Sequence, residues 1–173
     1  YLMDGFVLSD DFTVPIVEVV YRPHISLSKR PGISSLQSAG RIFFETWEKE
    51  SISTEEKVRV MLLSQAYEVL GIYEMTANID TIMENPKNII LAALRTDARA
   101  ICIAHNSCSG DLKPGKLDEK LLNKAIQIGN IFRIDIWDYV IVGKNGFFSC
   151  RQRKILKYPL IHDKQHPQAK HTI

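Results

Sequence analysis

Two apolar runs, Val58–Leu63 and Val69–Met75, flank the polar link Ser64-Gln65-Ala66-Tyr67-Glu68, and runs of that length and spacing predict an antiparallel hairpin. Upstream, the β-branched segment Thr13-Val14-Pro15-Ile16-Val17-Glu18-Val19-Val20-Tyr21 reads as a strand, which Pro15 places near a sheet edge or a strand start. After the loop Arg30-Pro31-Gly32, apolar residues recur at helical spacing (Leu36, Ala39, Ile42, Phe43, Trp47), with Ser34 or Ser35 as the cap. That helix should lie on the sheet.

The second half alternates in the same way. Asn85-Pro86 forms a cap and first-turn pair, and Ile89, Ile90, Ala93 and Leu94 then predict a helix ending near Asp97. The unbroken apolar run Ala100–His105 predicts a buried strand. Leu117, Leu121, Ala125 and Ile128 have helical period, with Asp118 in the first turn. Strands over Ile134–Val142 and Phe147–Gln152 are joined by Gly143-Lys144-Asn145-Gly146, whose Asn-Gly pair suits a tight turn. No internal repeat is present. The pattern predicts one α/β domain over residues 13–152, with an extension at 1–12 and a basic, polar tail at 153–173.

The 173 residues, 45% apolar and 24% charged, suffice to bury one core without disulfide staples. Lys and Arg number 22 against 20 Asp and Glu, and the resulting charge of +2 gives no global field to hold a polyanion. Nucleic acid binding would need a local basic patch. Cys102, Cys108 and Cys150 show neither CxxC pairing nor a disulfide framework, which points to a reducing, cytoplasmic setting. No apolar stretch is long enough to cross a bilayer, and Tyr1–Asp11 lacks a basic region followed by an apolar one, so neither membrane insertion nor secretion by that route is expected.

Alternate side chains of a strand share a face, so His105 and position 107 point the same way if the strand runs on that far. Asp118 starts the next helix, and a strand-loop-helix can fold its carboxylate back beside the imidazole. Glu74, on an earlier strand, is placed to supply a further acid-base group. Taken alone, His105 reads as an imidazole satisfied at a strand end, and Asp118 as a helix-start carboxylate favoured by the macrodipole.

The segment His105-Asn106-Ser107-Cys108-Ser109-Gly110-Asp111, with Pro114 and Asp118 after it, resembles the His-Asn-His-Pro-Ser-Gly-Asp segment of the RadC family. That family lies within the JAB/MPN, JAMM-type metalloprotein superfamily. Val69-Leu70-Gly71-Ile72-Tyr73-Glu74 is similar to the family's Glu-bearing strand, and Trp137-Asp138-Tyr139 stands where relatives usually have Leu-Asp-His. The resemblance runs roughly from Val14 to Ser149. The run from Tyr21 through Pro31 and Trp47 resembles the RadC-like proteins of Bacteroides-type bacteria, often found on mobile elements. The helix-hairpin-helix region that precedes this domain in full-length RadC proteins is not visible in this sequence.

The resemblance implies a JAB/MPN-like (cytidine deaminase-like) fold: a mixed, mostly antiparallel sheet flanked by helices, with the site at strand ends between Glu74, His105 and Asp118. Intact relatives hold zinc with a His-x-His pair and a downstream Asp, and a Glu acts as general base. In that register the ligand positions are His105, Ser107 and Asp118, and the base is Glu74. Ser107 therefore stands at the second metal histidine, Cys108 at the following proline, and Gly115 at the serine before the metal aspartate. A hydroxyl is a neutral, weak donor, so zinc is expected to be absent or weakly held. Cys108 is a candidate substitute ligand through its thiolate, although strand alternation turns it to the other face. Ser107 near His105 and Asp118 formally resembles an acyl-transfer triad, but two residues on one strand face seldom reach that geometry. The implied role is non-catalytic binding or an accessory function in DNA repair or mobile-element processes, through an unknown protein partner or a homodimer; net charge does not favour DNA. The alternative is a zinc-dependent, metallopeptidase-like hydrolase using His105, Asp118 and an unorthodox third ligand.

Overall fold

The computed structural model describes residues 21–22, 25–26, 29–84 and 86–155. The strand expected over Thr13–Tyr21 lies outside them except for Tyr21, as do residues 1–12, Asn85 and the tail from position 156.

Five strands form one sheet in the order β2-β1-β3-β4-β5, namely β1 (Val58–Leu63), β2 (Val69–Met75), β3 (Ala100–Asn106), β4 (Asp135–Gly143) and β5 (Gly146–Ser149). The β3–β4 pair is parallel and the other three pairs are antiparallel. Parallel neighbours need a crossover, and α4 (Lys116–Phe132) supplies it, after α1 (Ser38–Thr46), α2 (Ile79–Glu84) and α3 (Lys87–Arg95). One sheet face, carrying Val60, Ile101, Ile103 and Ile141, packs on Ile89 and Ala93 of α3 and Leu121 and Ala125 of α4. The other, carrying Met61, Cys102, Ala104 and Val142, packs on Ala39 and Phe43 of α1 and on Trp47. Strands covered on both faces lose their alternation, which is why β1 and β3 appear in the sequence as apolar runs interrupted only by Arg59 and by the closing His105-Asn106.

The expected α/β architecture and the hairpin bounds are found, with four local differences. Helix α1 starts at Ser38 with Gln37 as its N-cap, so neither Ser34 nor Ser35 is the cap. Both serines lie in the preceding turn, their N–H groups donating to Ser38 Oγ at 3.3 and 3.0 Å. Helix α2 was not anticipated; Asn78 Oδ1 opens it by accepting the Thr81 N–H at 2.9 Å. The β4–β5 turn consists of Lys144 and Asn145, with Gly143 pairing Gly146, so the Asn-Gly dipeptide is not the turn itself. Strand β5 stops at Ser149 because the chain curls back, Arg153 N–H donating to Ser149 O at 3.1 Å and Ile155 N–H to Cys150 O at 2.9 Å.

The β3–β4 register carries the irregularity that matters most for the site. Ile101 pairs with Ile136 and Cys102 with Asp138, so Trp137 is an extra residue bulged out of the ladder. A bulge shifts the phase of every later side chain on its strand. Here it brings Tyr139 alongside Ile103, on the face that also carries His105.

Candidate functional site

His105 is the penultimate residue of β3, paired with Val58 on one side and Ile141 on the other, and it faces the layer containing α4. Asp118 is in the first turn of α4, the helix that leaves the carboxyl end of β3, which is where open α/β sheets place their clefts. His105 Nε2 stands 2.8 Å from Asp118 Oδ1. The oxygen lies off the axis of the ring N–H, so the approach is a close electrostatic contact and Nε2 makes no directed hydrogen bond. The other ring nitrogen, Nδ1, is 3.2 Å from Asn106 O.

Asp118 is only 8% exposed and is held from two sides. Its Oδ2 accepts the Gly115 N–H at 2.7 Å, closing the start of α4 on itself, and its Oδ1 accepts the Tyr139 hydroxyl at 2.7 Å. Burial acts to raise the carboxyl pKa, but His105, the Gly115 N–H and the Tyr139 hydroxyl together outweigh it and leave the pKa below the ordinary value. Tyr139 is fully enclosed, and burial first, then the Asp118 charge, push its phenol well above the usual range. It is a fixed neutral donor.

Asn106 fixes the end of β3. Its Nδ2 donates to Ile52 O at 2.7 Å and Glu55 O at 2.8 Å, and its Oδ1 accepts the Lys57 N–H at 2.7 Å. Ser107 follows with its N–H donated to Val142 O at 2.8 Å, and its hydroxyl pairs with the Ser109 hydroxyl at 3.2 Å. The triad-like arrangement of Ser107 with His105 is not formed. Cys108 is half-buried, its sulfur accepting from Asn106 Nδ2 at 3.7 Å, and burial first, then the Glu56 charge, raise its pKa and keep it a thiol. His105, Ser107, Cys108 and Ser109 line a cleft of about 480 Å³, closed on its far side by Asn78, Ile79 and Asp80 at the start of α2.

Glu74 does not join this group. It pairs with Arg59, one step out of register with the Met75–Val58–His105 row, and therefore projects from the opposite face of the sheet. There its carboxylate meets the Arg59 guanidinium, and Lys57 Nζ at 3.4 Å, while Arg59 also donates to Thr46 O at 2.8 Å behind α1. The expectation of Glu74 beside His105 and Asp118 is thus corrected by strand parity. The described residues contain no cluster of three or more His, Cys, Asp or Glu placed to hold a metal ion.

Two participants escaped the sequence reading. Tyr139 stood out only as a departure from Leu-Asp-His, and its contact with Asp118 spans 21 positions and depends on the bulge at Trp137. Its neighbour Asp138, wholly buried, accepts the Ser149 hydroxyl at 2.6 Å and the Arg151 N–H at 2.9 Å. Burial pushes its pKa up to about 6 against those donors. Two acids, Asp135 and Asp138, inside an otherwise apolar run, Ile134–Val142, were the available signal for it.

A family model described as the RadC-like JAB domain matches residues 33–155. A UPF0758 protein of Chlorobium phaeovibrioides is 32% identical over 104 residues, covering 60% of this chain and 47% of that protein. Another from Chlorobium chlorochromatii is 28% identical over 144 residues, covering 83% of this chain and 64% of its own length. A third, from Thermotoga maritima, is 29% identical over 138 residues, 79% of this chain and 60% of the relative. The chain thus spans about half to two thirds of the length of these curated relatives. No helix among the described residues is long and apolar enough to cross a membrane. The chain belongs to the RadC-like JAB domain family.

Proposed function

We propose that this domain works by binding, to a protein partner or as an accessory in DNA repair or mobile-element processes, and that it does not carry out zinc-dependent hydrolysis. The observation that carries the reading is the donor set. Position 107, where relatives hold an imidazole, offers a neutral hydroxyl already paired with Ser109 at 3.2 Å. A hydrolytic zinc site needs three good protein donors and an open water position, and a base beside that water. His105 and Asp118 supply two donors, and Glu74, the base of the family pattern, faces the other side of the sheet. Zinc of the family type does not fit these residues, and no step is assigned to it. The test is metal analysis of the chain purified without chelators. Less than a tenth of an equivalent of zinc is expected, and one tightly held equivalent per chain would overturn the reading.

One observation favours a second reading, a hydrolase built on His105, Asp118 and an unorthodox third ligand: His105 Nε2 has no hydrogen-bond partner. On that reading, zinc-dependent peptide cleavage is lost in His105→Ala yet kept in Glu74→Gln, whose carboxylate lies across the sheet. A zinc-loaded chain that cleaves no peptide ends that reading.

A further inference from the structure

In a metal site a buried carboxylate has its charge answered by the ion. Asp118 is 8% exposed and must be satisfied by protein groups, and the way this is done is asymmetric. A carboxylate that binds an ion through one oxygen ordinarily gives its other oxygen to supporting hydrogen bonds. In this chain the supporting position is already filled, because Oδ2 holds the Gly115 N–H at 2.7 Å. The Tyr139 hydroxyl, also at 2.7 Å, goes to Oδ1, the oxygen that faces His105. His105 Nε2 is 2.8 Å from that same oxygen. The Tyr139 ring, its centroid 6.0 Å from that of His105, lies along the same side of the site.

We infer that Tyr139 stands in for the ion: its hydroxyl occupies the carboxylate oxygen that would face a metal, so the loss of the site is a coupled change at positions 107 and 139. This rests on the binding-only reading and deepens it. A histidine returned to position 107 would meet an Asp118 that is still engaged by the phenol. Removing the hydroxyl frees Oδ1 and leaves a buried anion that a cation can satisfy.

The experiment compares the full chain with Ser107→His, Tyr139→Phe and the double variant, each first confirmed folded by circular dichroism. Zinc affinity is read by competition with a chromophoric chelator, and site geometry by the visible absorption of bound cobalt(II). The double variant is expected to bind one zinc at least tenfold more tightly than Ser107→His and to give a tetrahedral cobalt spectrum. Equal affinity of Ser107→His and the double variant would overturn the inference. So would weaker binding by the double variant, which would make Tyr139 a support for a bound ion. Should the double variant not fold, Ser107→His with Tyr139→Leu removes the same hydroxyl without adding a metal donor and must show the same gain. Zinc in the unaltered chain would instead overturn the binding-only reading, so the two failures are distinct.

Discussion

Asp138 is buried with its charge answered by the Ser149 hydroxyl and backbone N–H groups, and burial still raises its pKa to about 6 from the ordinary 3.8. A raised folded-state value means that the neutral form favours folding. That contribution is complete below about pH 3.8 and is lost as pH rises through about 6, a loss of up to roughly 3 kcal/mol. Asp138→Asn removes it, so the melting temperature of the variant relative to the parent should rise between pH 4 and pH 7; a constant difference across that range would contradict the assignment. Asp118 acts in the opposite sense, since its lowered pKa gives stability that is present above the ordinary value and lost at lower pH. Asn106 is a purely structural counterpart to these two. Asn106→Ala strands the Lys57 N–H and the carbonyls of Ile52 and Glu55, and should cost about 3 kcal/mol in chemical denaturation.

The end of α4 sets where β4 begins, and through it the position of Tyr139. Arg133 closes the helix in the left-handed region at φ 57°, its N–H on Gly129 O, while the Ile134 N–H donates to the same oxygen at 2.8 Å. Glycine adopts that conformation without the Cβ penalty, so Arg133→Gly should add up to about 1 kcal/mol, seen as a higher melting temperature. Gly129→Ala works the other way, because its Cβ would lie 2.4 Å from Ile134 O, a backbone atom that cannot swing aside. A cost of about 1–3 kcal/mol is expected in the same measurement. Periodicity made the elements of the sheet legible, since β1, β2 and β3 are either covered on both faces or bounded by clear polar links. It did not reveal α2, whose six residues are too few to establish a helical period. The His105–Asp118 pair followed from the motif register. The misplacement of Glu74 arose because the face a residue occupies depends on the pairing of β2 with β1 and β1 with β3, which no local pattern records.

At the scale of the molecule, a three-layer arrangement puts the charged cluster of Lys57, Arg59 and Glu74 on one side of the sheet and the His105–Asp118 pair on the other. The two groups are separated by a single layer of backbone and can be altered independently. Substitutions at Arg59 or Glu74 should therefore leave zinc affinity in the double variant described above unchanged within about twofold, which calorimetric titration would check. Strands β1 and β3 are bonded along both edges and lie under side chains above and below. Their amide protons can reach solvent only when the whole domain opens, so deuterium should enter them last. The imidazole is thus mounted on the slowest-exchanging ladder of the protein, while the exposed Ser109–Gly110 stretch of the loop that follows it should exchange early. A ligand entering the cleft would meet one immobile wall and one that yields, and the protection it confers should appear in that loop.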